Sequence, residues 1–167
     1  PNRWFETLSD LQAYEPWFGV FSGKTFKIAP GSAIERFALL PLSEDEIQTF
    51  SDMLKIPKEF SQAALDRVCH LEYFNSNSPK EANLAVYYDH LVALKALHNP
   101  FRLFFLLNLI EDESLRAEWR SKSSHALNAI KEHKENIEKE TSSLLGRDKG
   151  EGVKQARLKV LQDQFER

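Results

Sequence analysis

The chain predicts an all-α fold, a helical bundle of about six or seven helices, with a short irregular or β-hairpin segment at its N-terminus and a helical hairpin at its C-terminus. Three observations carry that expectation. From Ser43 onward, apolar side chains recur at intervals of three and four, the spacing that gives a helix one apolar face. Helix-start signals punctuate those runs at "SEDE", "NSNSPKE" and "NP". With 167 residues, 42% of them apolar and 28% charged, the chain has the size and composition of one globular domain with a buried core.

In "SEDE", Ser43 stands three residues before Glu46, so each side chain can accept from the other's free backbone amide; the helix that follows should run to about Leu54. Pro57 opens a second helix ending near Phe74. In "NSNSPKE", Ser78 is placed as N-cap, Pro79 at the first helical position and Glu81 as the reciprocal acceptor, predicting a helix from Pro79 to about His98. Asn99 and Pro100 repeat the device and open a helix over 100–110, apolar nearly all round, which places it in the middle of the fold. A long helical pattern then extends from about Ser114 to Leu145, with an interruption allowed at "SKSS" and Gly146 as its stop. "GRDKGEG" reads as a turn. Val153, Ala156, Val160, Leu161 and Phe165 form the apolar face of a last helix, so residues 125–167 are expected as an antiparallel hairpin.

The first 42 residues differ from this body, residues 43–124, and from the hairpin. They hold Trp4, Phe5, Tyr14, Trp17, Phe18, Phe21, Phe26 and Phe37 and no long periodic run beyond residues 4–14, which suggests an irregular aromatic lid over the helices or a ligand cleft lined by rings. Within it, "GVFSGKTF" approaches a phosphate-binding loop but has one residue too few between Gly19 and Gly23. Pro30 and Gly31 also stop the helix such a loop needs. A small β-hairpin turning at "SGK" fits better.

Composition narrows the partners. The formal charge is −3, and residues 1–100 carry 9 basic and 13 acidic side chains against 13 and 12 in residues 101–167, so no basic face for DNA or an anionic membrane is implied. Helices flanking "KIP" resemble a helix-turn-helix in spacing, but Lys55 replaces the small turn residue and acidic groups dominate the second helix. No apolar run is long enough to span a bilayer, and "PNRWFETLSD" has no leader pattern. The lone Cys69, expected as a small buried residue, leaves no intrachain disulfide and points to a reducing, cytoplasmic compartment. Asp66 and His70 share a helix face, yet neither HExxH nor ExxH occurs, so no metal and no cofactor is expected; His90, His98 and His133 complete no catalytic group.

"RSKSSH", Arg120 to His125, resembles the RxxxxH signature of HEPN-type helical proteins, many of them metal-independent ribonucleases that pair two copies of the motif across a dimer. That resemblance implies His125 in proton transfer for attack by a ribose 2′-hydroxyl and Arg120 on the charged phosphate, with RNA as substrate. Ser121 stands where that family usually has a polar residue, often Asn. Five helical steps turn two side chains roughly 140° apart, so both reach one phosphate only if the helix starts or bends at "SKSS".

Without a catalytic grouping assembled by spacing, the preferred expectation is a non-catalytic protein-interaction or regulatory module, binding a protein partner or a second copy. The narrow stripe Leu127, Ile130, Ile137 and Leu144, with Val160 and Phe165 of the last helix, is where that contact is expected. "LQDQFER" stops inside a helical pattern, as a frayed end or as a cut within a longer chain.

Overall fold

The computed structural model describes residues 32–166, and every regular element among them is helical. Eight helices follow in order: α1 Ala33–Ala38, α2 Glu44–Leu54, α3 Lys58–Ser76, α4 Leu84–Ala93, α5 Phe101–Asn108, α6 Glu113–Glu132, α7 Lys134–Glu140 and α8 Gly146–Phe165. The all-α expectation holds, with more helices than anticipated because α1 precedes the first expected helix and the long pattern after residue 113 divides. The hairpin and phosphate-loop readings of "GVFSGKTF" lie outside the described residues, as does most of the aromatic lid.

The described residues gather into two compact units, one ending at His70 and the other starting at Leu71. In the first, α2 begins as its local chemistry dictates. The Ser43 amide donates to Glu46 Oε2 at 2.7 Å and the Glu46 amide to Ser43 Oγ at 3.4 Å. Ser32 and Glu35 build the same reciprocal cap on α1, and those bonds hold the Glu35 carboxyl below its ordinary range. Leu42, Ile47, Phe50 and Ala64 form the core of this unit, with Phe37 stacked on Phe50 at 6.0 Å. Arg67 Nη2 donates to the carbonyls of Leu40 and Leu42 at 2.9 and 2.8 Å, tying the α1–α2 connection to α3. The turn out of α2 does place a left-handed residue at Lys55, with φ 51°.

The second unit contains the end of α3 and helices α4 to α8. Its largest buried side chains include Trp119, Tyr87 and Phe74. Trp119 stacks on Tyr87 at 5.5 Å and meets Phe74 edge-on at 5.0 Å. Its indole N–H donates to the carbonyls of Phe74 and Asn77, at 3.0 and 2.9 Å, close to the end of α3. Two carbonyls that the helix end leaves without an intrahelical donor thus gain one from the core.

Three boundaries differ from expectation. The helix predicted from Pro79 begins at Leu84, because Asn83 Oδ1 accepts from the amides of Ala85 and Val86 and so becomes the cap. Ser78 and Glu81 instead bond each other through their side chains at 3.3 Å in a turn, beside a buried Pro79. That helix also ends at Ala93, and a left-handed Lys95 turns the chain before His98. Gly146 does not stop a helix running from residue 114: the pattern breaks at His133 and ends at Glu140, and Gly146, at φ 55°, opens α8. "GRDKGEG" is therefore helical. A Cβ on Gly152 would come within 2.6 Å of Leu144 Cδ1, so this glycine lets α8 approach the preceding segment closely.

Candidate functional site

Helix α6 runs unbroken from Glu113 to Glu132 through "RSKSSH". No helix start or break falls at "SKSS" to turn Arg120 and His125 toward one phosphate, and Ser123 is engaged elsewhere. Its hydroxyl is buried and accepts from the Tyr87 hydroxyl at 2.9 Å, so it does not compete for the helix backbone. Both RxxxxH side chains are exposed, and five steps apart on one continuous helix they project from different sides of it. Arg120 already has partners: Nη1 donates to Asn108 Oδ1, and the guanidinium carbon lies 5.6 Å from the centroid of the Phe104 ring.

The stripe expected to meet a partner is largely covered within the fold. Ile130 and Ile137 are 7% and 5% exposed, while Leu127, Leu144, Val160 and Phe165 are half-buried. Helix α8 packs against α6, α4 and α7, so the narrow stripe has a neighbour inside the chain. Phe165 lies 5.2 Å from Tyr87. Lys122 Nζ donates to the carbonyls of Gln164 and Phe165 at 3.1 and 3.4 Å, at the negative end of α8. Lys154 meets Asp89 at 2.9 Å, a bond that raises the ammonium's pKa, and Arg157 donates to the Tyr88 hydroxyl at 3.2 Å. These bonds join α8 to α6 and to α4.

An uncovered apolar face appears on α5 instead. A helix apolar on all sides was expected at the centre of the fold, yet only half of this one is enclosed. Leu103, Leu106 and Leu107 are buried, whereas Phe101 is 63% exposed and Phe104 and Phe105 are half-buried. Phe101, Phe104, Phe105 and Asn108 stand at i, i+3, i+4 and i+7, one face of the helix, opposite the leucines. The rings of Phe101 and Phe105 are 6.2 Å apart, so the face is continuous. Asn99 Oδ1 accepts from the Phe101 amide at 3.1 Å and fixes the start of the ridge. The clue to this face in the sequence is the aromatic choice: the fully enclosed positions of α5 are Leu, and the exposed or half-buried ones on the opposite face are Phe.

Other features carry less chemistry. An open groove of about 620 Å³ beside Asn83, Leu84, Leu158, Lys159 and Gln162 holds no carboxylate, thiol or imidazole in its lining. Cys69 is exposed, contrary to expectation, and burial of its surroundings together with Glu44 and Asp66 raises its thiol pKa, away from the reactive thiolate. Among the described residues no cluster of His, Cys, Asp and Glu is arranged to hold a metal ion, and no helix is long and apolar enough to cross a membrane. Comparison with protein-family models, with characterised proteins and with solved structures finds no match to this chain.

Proposed function

We propose that the chain is a non-catalytic helical module that binds another protein through the outer face of α5. The observation that carries this reading is the exposure of Phe101 at the head of a continuous aromatic ridge whose reverse side is core. Single exposed apolar residues are ordinary on a protein surface, and Leu145, at 83% exposure, is one. Three phenylalanines on one helical face, two of them in ring contact, are a patch, and aromatic patches are enriched where proteins meet. The site stands apart from the hairpin stripe, whose side chains serve internal packing. A cytoplasmic setting fits a chain with one cysteine and an unpaired thiol.

The test is comparative capture from the native cell, with ribonuclease present, using the full chain and its Phe101→Asp variant. Proteins retained by the parent and lost by the variant, while the helical circular dichroism is unchanged, are the expected result. An identical set of captured proteins sinks the placement on α5.

A further inference from the structure

Building on the reading of α5 as a docking face, we infer that its occupant is an amphipathic helix of a partner protein that presents carboxylates beside its apolar anchors. The charge around the ridge is the ground for this. Between Asp89 and Glu111 the chain has no Asp or Glu at all, although it holds 25 of them in total. The connection into α5 carries Lys95 and His98, both exposed, and α6 contributes the guanidinium of Arg120 over the Phe104 ring. Acidic side chains resume only past the far end of α5, with exposed Glu111, with Asp112, which caps α6 by accepting from the Leu115 amide at 3.0 Å, and with Glu113, paired with Arg116 at 3.2 Å. A ridge with the Arg120 guanidinium over one of its rings and no carboxylate on α5 itself is complementary to apolar anchors flanked by acids, and opposite charge across an interface sets partner choice and association rate.

The ridge shape favours a helix as the ligand. Side chains at i, i+3, i+4 and i+7 form the raised row that interdigitates with the groove of a second helix. A second copy of this chain fits poorly, because a two-fold contact pairs the face with itself and α5 offers no carboxylate to Arg120. A bilayer also fits poorly. Arg120 is held by Asn108 over the Phe104 ring, so inserting that ring would carry a hydrogen-bonded cation toward hydrocarbon.

Two synthetic helical peptides test the inference. Both carry Phe and Leu anchors at i, i+3, i+4 and i+7; one has Glu and the other Lys at the flanking positions. Calorimetric titration into the full chain should show the Glu peptide binding about tenfold more tightly or better, a preference that weakens with added salt. Phe101→Asp should abolish that binding, and Arg120→Gln should reduce the preference for Glu over Lys. Equal affinity for the two peptides, or no binding of either, overturns the acidic-helix assignment. So does Phe101-dependent binding to phosphatidylserine vesicles without peptide binding, or Phe101-dependent dimerisation in sedimentation. If the peptides show no preference for Glu while native captures still depend on Phe101, the docking face stands and only its acidic occupant falls. If captures are indifferent to Phe101, the docking reading itself falls.

Discussion

Two aromatic groups in the second unit, one around Trp119 and one on α5, have opposite fates. Around Trp119, the rings of Phe74, Tyr87 and Phe165 close on one another, and each polar atom of the buried Trp and Tyr side chains has a partner inside the fold. On α5, Phe101 and Phe105 touch each other but have solvent on their outer side. Ring content alone does not separate core from surface. What separates them is the polar atom: Trp and Tyr carry an N–H or O–H that fixes the ring to one place, and Phe has nothing to fix it. A cluster with hydrogen-bonding rings is built to stay closed, and a cluster of phenylalanines can open to a partner without leaving a donor unpaired.

The sharpest test of that contrast is Trp119→Ala. It removes a fully buried ring and the donor to the α3 carbonyls, so the loss should be roughly 3–5 kcal/mol in urea unfolding. A loss below that of a surface substitution would mean the cluster is not the centre of its unit. Alkaline pH probes the same place without mutation. Burial pushes Tyr73 up to about 12 and Tyr87 well above the ordinary tyrosine value of 10.0. Both folded-state pKa values are raised, so the associated stability is intact below pH 10 and drains away as pH climbs through 10 toward 12. Tyrosinate absorbance should lag behind that of exposed tyrosine and then rise together with the loss of helical signal. A smooth titration at the ordinary value would show the rings are not enclosed.

A smaller effect is expected from the hydroxyl pair in the cluster. Tyr87→Phe leaves the buried Ser123 oxygen without its 2.9 Å partner and should cost about 1–3 kcal/mol. Ser123→Ala added to it should restore part of that loss, since removing both polar groups leaves nothing unsatisfied. Strict additivity of the two single effects would mean the hydroxyls do not interact.

How far these arrangements were legible in the sequence follows from the range of the interactions involved. The cap at Ser43 and Glu46 was readable because both partners lie within four residues and nothing distant intervenes. The start of α4 was not, because Ser78 and Asn83 are both competent caps and the burial of Pro79 bears on which one is used. "GRDKGEG" reads as a turn by local propensity, yet forms helix where Gly152 admits Leu144. The RxxxxH spacing is visible in one dimension, but the engagement of Ser123 by a tyrosine 36 residues away is not. The uncovered face of α5 was hidden for a related reason: an all-apolar pattern marks a helix without saying which side the rest of the chain will cover.

The smallest expected change in stability belongs to Phe101→Asp, and its smallness is what makes it informative. Phe101 is the first residue of α5 and 63% exposed, so replacing it removes little buried area. A carboxylate there also faces the positive end of the helix dipole and is well placed on electrostatic grounds. The net change should stay within about 0.5 kcal/mol, as for most surface substitutions. An aromatic that contributes almost nothing to the chain's own stability has its contacts elsewhere. Urea midpoints shifted as far as those of Trp119→Ala would instead make Phe101 a core residue, and the distinction between the closed cluster and the open ridge would collapse.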